Sequence, residues 1–357
     1  MVDRLLSSGH AYKVEKTSRD GKTGVVTMFR MPKEGVIEFD DIVKGHMAKK
    51  AEDIQDFAIV RSDGSPIFHI ANVVDDIDQR VTHIIRGDDH VENTFKHICI
   101  FRALGAPVPK YGHLSMIVNQ QGKPYSKRDG AAFVGEFRDQ GYLPDALFNY
   151  LVLLGWNPGD DREVVSREEM VKLFDLEKVH VTAAMFDPKK LLWMNGEYIK
   201  KIPQDEFVEE VRSRVSCLMS PVPDHETSWW NALASQLQPR TKFLADIPSM
   251  ARCFVADDYP FDEKAVDKRL RKPGVKALLL DLVDRFGKVA DWNAVALEAV
   301  VKELSQGGGM GPWVHPVRVA VSGRGEGIGL FEMLELLGRD ETLARLRSAA
   351  EKFCPAD

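Results

Sequence analysis

Residues 122–130, Gly-Lys-Pro-Tyr-Ser-Lys-Arg-Asp-Gly, set Lys123, Lys127 and Arg128 around a proline and Ser126, with a glycine at each end. A mobile Gly/Ser turn carrying two or three cations can close over phosphates and neutralise charge as it develops during group transfer. A lysine-rich solvated loop has the same composition, so the surroundings must choose between the readings. Some thirty-five residues earlier, a β-branched run at 81–90 (VTHIIRGDDH) ends in Arg86, Gly87, Asp88 and Asp89. A guanidinium is a natural partner for a planar carboxylate, which it grips with two parallel bonds. The bland alternative for Arg86 is an ion pair with Asp88 or Asp89, and for those acids it is capping of the next helix.

Several elements must hold these groups in place. The run at 81–90, a helix from Asn93 to about Leu104 stopped by Gly105, and a strand at 113–118 form a βαβ unit. Ligands in such sheets sit outside the carboxyl ends of the strands, where both the Arg86 cluster and the 122–130 turn fall. Before them come short β-type runs, GVVTMFRMP and GVIEFDDIV, and two apolar stretches flanking Asp63-Gly64, a hairpin signal. From Pro144 the pattern turns helical. Pro144 suits a first helical turn with Gly155 as its stop, Ser166 and Glu169 read as a capping box, and Asp187-Pro188 opens a helix expected to end at Gly196. Between about 205 and 357 amphipathic helices are expected, broken at SCLMSPVPDH, ADDYP and SQGGGMGPWVHP.

Composition narrows the classes. The 357 residues are 44% hydrophobic and 29% charged, with a net charge of −6, so nucleic-acid contact would have to use local basic patches. No window approaches a membrane span, and the N-terminal residues lack the apolar core of a signal peptide. Four scattered cysteines with no CxxC pair argue against a disulfide framework or zinc knuckle and fit reduced thiols in the cytoplasm. His83, His90 and His97 are spaced seven apart across a strand and a helix, which does not gather them on a metal. SGRGEGIGL at 322–330 has the look of a phosphate-binding loop after the strand-like VRVAV, but no acidic ribose partner follows, and it reads as a turn between helices. The basic stretch 264–276 is a solvated helix face or a contact for a nucleic-acid backbone.

Taken in order, IRGDDH, the YSKR turn, DQGYLPDALFNYLVLLGWNPGDDRE, FDPKKLLWMNGEYI and HPVRVAVSGRGEGIGLFEMLELLG resemble the bacterial glutamate–tRNA ligases of class I. The resemblance covers essentially the whole chain. It implies an α/β plus all-α architecture: the C-terminal half of a Rossmann-like sheet with a remnant of the acceptor-stem insertion, a stem-contact region, and helical anticodon-binding domains. The implied boundaries are 1–57 for the insertion, 58–118 for the half-sheet, 119–203 for the signature loop and stem contacts, and 204–288 and 289–357 for the two anticodon subdomains.

By the same resemblance, Ser126, Lys127 and Arg128 match the signature loop that binds ATP phosphates. Pro124 stands where its first lysine belongs, with Lys123 offering a charge one residue earlier. Arg86 matches the arginine that pairs with the glutamate carboxylate, Asn72 a pocket amide, and Phe68 a position often held by tyrosine. Ile117, Met116 and Asp89 fall beside the adenosine, with Lys127 on the phosphates. Arg240 aligns near the anticodon, where a guanidinium can read a base edge. The implied reactants are ATP with Mg²⁺, glutamate and tRNA(Glu), with no protein-bound zinc, no membrane and a monomeric state. Members open with a His-x-Gly-His-type strand and helix. That motif occurs nowhere in this sequence, which implies feeble or absent activation of glutamate by the chain as given. A non-catalytic tRNA-binding protein and glutamine–tRNA ligase are the rival readings.

Overall fold

Short β-branched and aromatic runs separated by glycine turns build the first part of the chain. The computed structural model describes residues 1–17, 21, 23–218, 226–256, 258–306 and 308–355. They divide into two compact units, Met1–Val134 with Phe148–Pro188, and Gly135–Leu147 with Lys189–Asp357.

In the first unit, helix α1 (Val2–Ser7) leads into strands β1 (Ala11–Thr17), β2 (Thr23–Phe29), β3 (Val36–Asp41), β4 (Gly45–Lys50) and β5 (Phe57–Val60). Helix α2 (Phe68–Asp78), β6 (His83–Gly87), α3 (Val91–Ala103), β7 (Lys110–Leu114) and β8 (Ile117–Val118) follow. An antiparallel sheet runs β1-β2-β5, and a mixed sheet runs β4-β3-β7-β6. In the mixed sheet β6 and β7 are parallel with Arg86 opposite His113, and β3 joins β7 in parallel through Asp41 and Tyr111. That register brings Asp41, Arg86 and His113 to one edge, the carboxyl ends of three neighbouring strands. Beneath it Phe29, Ile59, Ile70, Val73, Phe95, Ile98, Phe101 and Tyr111 form the core. The expected βαβ unit is therefore present as β6-α3-β7.

Three local expectations change. Asp63-Gly64 does make the turn, with Gly64 at φ +84°, but only Val60 and Pro66 bridge across it. The second apolar run then enters α2, because Ile70 and Val73, one turn apart, both bury against the core. The strand expected at 113–118 is split into β7 and β8. Helix α3 begins two residues before Asn93, after a single turn of 3₁₀ helix at Asp88–His90, and neither Asp88 nor Asp89 caps it with its side chain.

Helices α4 (Val134–Asp139) and α5 (Pro144–Gly155) come next, then α6 (Arg167–Leu173), β9 (Ala184–Met185) and α7 (Pro188–Lys200). Ser166 caps α6 by accepting from the Glu169 amide, whereas the Glu169 carboxylate pairs with Arg162, so one half of the expected capping box is seen among the described residues. Gly196 does not end α7. It lies buried mid-helix, where a Cβ would come 2.8 Å from Nζ of the flexible Lys242 side chain.

The second unit is helical: α8 (Gln204–Val215), α9 (Thr227–Leu237), α10 (Ile247–Val255), α11 (Glu263–Arg269), α12 (Val275–Gly287), α13 (Ala294–Ser305), α14 (Gly311–Ser322), α15 (Leu330–Leu337) and α16 (Arg339–Lys352). Of the three expected breaks, 219–225, 257 and 307 lie outside the described residues. GPWVHP is no break, since it forms the first turns of α14 with Pro312 near the start and Pro316 inside. VRVAV is helical as well. Val317, Val319, Ala320 and Val321 are all buried, and a helix buried on every side loses the polar face that betrays its period. The 322–330 loop joins α14 to α15. Gly323 ends α14 at φ +71°, and a Cβ there would sit 2.3 Å from the Pro260 carbonyl oxygen. Gly323→Ala is therefore expected to cost about 2 kcal/mol or more, through left-handed strain plus backbone collision. A urea titration of the variant against the parent checks this.

Candidate active site

Arg86 leaves the end of β6 and its guanidinium is held from three sides. Nε donates to His113 Nε2 at 3.3 Å, and Nη2 donates to Thr94 Oγ1 at 2.6 Å and to the His90 carbonyl at 3.2 Å. Its carbon also lies 5.5 Å from the centre of the Tyr111 ring. Nη1 has no hydrogen bond among the described residues, which leaves two N–H groups for an incoming anion. No ion pair joins Arg86 to Asp88 or Asp89 among those residues. Asp88 instead meets Lys44 Nζ at 3.0 Å, and the Asp89 carboxylate lies 3.7 Å from His90 Nε2.

Behind Arg86 stands a buried chain. The imidazole of His113 donates from Nδ1 to Asp41 Oδ2 at 2.6 Å, while Asp41 Oδ1 accepts from the amides of Val43, Lys44 and His113. Burial pushes the Asp41 carboxyl up, but the bonds from Lys44, His113 and Val43 outweigh it and hold the group below the ordinary carboxylate range. Burial and the positive charge of Arg86 hold His113 below the usual histidine range against the pull of Asp41.

The first turns of α2 carry the other two residues that the sequence resemblance assigned to the substrate, Phe68 and Asn72. Phe68 is half exposed at the helix start, its ring 5.8 Å from that of His90 and 5.7 Å from that of His97. Asn72, one turn on, buries Oδ1 without a hydrogen-bond partner among the described residues, and Asp76 buries Oδ2 likewise. His69 and His97 hydrogen-bond through Nδ1 and Nε2 at 3.1 Å. Burial, with help from nearby cations, lowers His69 to about 4 and His97 to about 3, so both are neutral near pH 7. The seven-residue histidine series thus separates: His97 turns to His69, while His83 bonds to Thr82.

The 122–130 turn is a built hairpin rather than a loose loop. Its strand β8 pairs with β9, and Tyr125 packs on Phe186 with ring centres 4.6 Å apart. Asn119 accepts from the amides of Gln121 and Lys123 through its side chain, an Asx turn that lets Gly122 take φ +72°. At the far end Asp129 accepts from Asn119 Nδ2 and from the amide and hydroxyl of Ser126. Those bonds, from Asn119 first and then Ser126, hold the Asp129 carboxyl below its ordinary range. Pro124 lies where no donor is required, because the cross-turn bonds use the Lys123 carbonyl and the Tyr125 amide. Lys123, Lys127 and Arg128 are exposed and have no ion pair among the described residues. Met116 and Ile117 are half-buried just ahead of the hairpin, and Gly87 lets the chain pass close to Asp89 and the Met116 sulfur.

In the second unit Arg240 ends a 3₁₀ turn after α9, exposed and donating to the Gln236 carbonyl. Of the 264–276 stretch, Arg271 is spent on Asp267 and Glu263, whereas Lys268, Arg269 and Lys272 line a cleft of about 580 Å³ with His315.

Sequence reasoning reached Arg86 and the hairpin cations but missed Asp41, Thr94, His113, Asn119 and Asp129. Only Asn119-x-x-Gly122 carried a local signal, that of the Asx turn. The others depend on strands that meet far apart in sequence.

The neutral histidine pair gives a sign for pH. A histidine whose folded value is lowered binds its proton in the unfolded chain first, so stability falls as pH drops below about 6.5 and goes on falling toward 4. His97→Leu should flatten that decline in a thermal-midpoint series from pH 7.5 to 4.5, while an unchanged slope would remove His97 as its source.

The resemblance to known proteins is consistent along the chain. Residues 2–193 match the family "tRNA synthetases class I (E and Q), catalytic domain", and residues 180–350 match "Anticodon binding domain". Glutamate–tRNA ligase of Thermobifida fusca is 42% identical over 336 residues, covering 92% of this chain and 70% of that protein. Its counterpart from Moorella thermoacetica is 36% identical over 340 residues, with 94% and 69% covered. A glutamate tRNA ligase from Elizabethkingia meningosepticum, solved in complex with its amino acid, superposes with a TM-score of 0.76 at 28% identity over 99% of this chain and 70% of that one. With catalytic and anticodon matches together spanning residues 2 to 350, the chain belongs to the class I glutamate–tRNA ligases, an aminoacyl-tRNA ligase family.

Proposed function

We propose that the chain joins glutamate to tRNA(Glu) through glutamyl-adenylate. An oxygen of the glutamate α-carboxylate attacks the α-phosphorus of ATP and pyrophosphate departs. A hydroxyl of the terminal ribose then attacks the acyl carbon and AMP leaves. Arg86 takes the substrate's side-chain carboxylate, with Phe68 and Asn72 lining the pocket. Asp89, Met116 and Ile117 border the adenosine. Ser126, Lys127 and Arg128, with Lys123 standing in for the lysine that Pro124 replaces, grip the phosphates and offset charge on the departing pyrophosphate.

The observation that carries this reading is the guanidinium of Arg86, fixed on two edges with Nη1 left for an anion. Mg²⁺ is assigned to the ATP phosphates. Residues 1–57 are assigned to the acceptor stem, 58–118 to the nucleotide sheet and 119–203 to the signature loop and stem contacts. The subdomains 204–288 and 289–357 are assigned to the anticodon, with Arg240 reading a base. No helix among the described residues is long and apolar enough to cross a membrane. The protein is assigned to the cytoplasm as a monomer.

Glutamate-dependent AMP formation measured beside tRNA affinity tests the reading. Lys127→Ala should lower AMP formation by roughly 10²–10³-fold with tRNA affinity nearly unchanged, because the lysine acts on charge that develops in the transition state. Tight tRNA binding by the parent chain without AMP would replace the enzyme with a tRNA-binding protein. AMP formation driven by glutamine and not glutamate would point to glutamine–tRNA ligase.

A further inference from the structure

We propose that Asp41 and His113 are positioning residues for Arg86, with Asp41 choosing which nitrogen of His113 carries the proton and so keeping an acceptor in front of the guanidinium. This rests on the reading of Arg86 as the substrate-carboxylate ligand.

The side chains of Asp41 and His113 are fully buried, as is Thr94. Asp41 Oδ1 is occupied by three backbone amides at 2.9–3.1 Å, so Oδ2 alone faces the imidazole. A carboxylate only accepts, which places the proton on His113 Nδ1 and leaves Nε2 as a lone-pair acceptor. Arg86 Nε–H faces that acceptor at 3.3 Å, and the Thr94 hydroxyl lies 3.0 Å from it, sharing its one hydrogen with the His90 carbonyl at 3.3 Å. Thr94 in turn accepts from Arg86 Nη2. The opposite tautomer would turn the Nε2 proton to Thr94 Oγ1 and leave the Nε–H of Arg86 facing a donor, so the guanidinium would lose that bond. Burial first, and then the charges of Arg86 and Lys44, also disfavour a doubly protonated ring. Asp41 therefore acts on substrate only through another residue's proton.

Asp41→Asn is the incisive variant because it keeps shape. The three amides require an oxygen, so the new amide nitrogen must take the Oδ2 place and donate to His113 Nδ1. The ring then shifts its proton to Nε2 and loses its acceptor for Arg86. His113→Gln, in contrast, can present an amide oxygen near the Nε2 position whatever stands at 41.

The test is L-glutamate affinity of the full chain by titration calorimetry, with thermal midpoints recorded for every variant. Asp41→Asn should weaken glutamate about tenfold or more, the scale of a lost hydrogen bond to a charged group, while His113→Gln stays within about threefold. In the double variant, adding Asp41→Asn to His113→Gln should cost no further affinity, because no ring remains to relay the proton. If Asp41→Asn does not fold, His113→Asn serves. It keeps the donor to Asp41, is too short to supply the acceptor, and should also lose about tenfold. Equal losses from Asp41→Asn and His113→Gln that add in the double variant, or full affinity in Asp41→Asn or His113→Asn, would overturn the proposal alone. Failure of Arg86→Ala to weaken glutamate, or no glutamate binding by the parent chain, would overturn the assignment of Arg86 and this proposal with it.

Discussion

A carboxylate buried at the end of β3 sets the terms for the catalytic unit. Taking Asp41 out of water is costly, and the fold meets the cost with three backbone amides and an imidazole rather than a cation. Those partners come from two pieces of local structure. Val43 and Lys44 form the turn after β3, His113 lies on β7, and through His113 the chain of bonds reaches Arg86 on β6 and Thr94 on α3. The strand ends of the mixed sheet are thereby tied by side chains where their backbone ladder runs out. Disturbing the carboxylate would loosen the turn, the imidazole and the guanidinium together.

How much of this could be read in the sequence follows the range of each interaction. Arg86 was legible because a β-branched run ended on it, and the hairpin because cations, glycines and a proline crowd nine residues. Caps were legible for the same reason, Ser166 and Glu169 being three apart. Asp41 and His113 were not, since 72 residues separate them and neither stands out locally. Apolar runs misled in two places. VRVAV reads as a strand and is the interior of a helix, and the stretch after Asp63-Gly64 reads as a hairpin arm and is α2. Glycine was ambiguous in another way, because Gly196 and Gly155 look alike as stops, yet one lies inside a helix, beside Lys242.

The two units hold their buried polar groups differently. In the first, acceptors on Asn72 and Asp76 without a partner among the described residues accumulate on α2, while Asp76 exerts a favourable field on the half-buried Arg86. Burial keeps the paired imidazoles of His69 and His97 uncharged beside that cation. Such a concentration of unfinished hydrogen bonding is expected where a polar ligand completes the set. In the second unit the buried Arg345 is finished internally. It donates to the carbonyls of Cys253 and Val321 and pairs with Glu341, which suits a structural post between helices.

The hairpin at 117–130 separates form from charge. Its shape is fixed by Asn119, Asp129, Ser126 and two glycines, and the Tyr125 ring anchors it to Phe186. None of the three cations takes part through its side chain in that framework. The sites that carry charge are therefore interchangeable to a degree that the framework sites are not. A proline at position 124 removes no donor that the framework uses, and Lys123 beside it carries its charge outside that framework. Tuning the electrostatics of the loop does not require redesigning it.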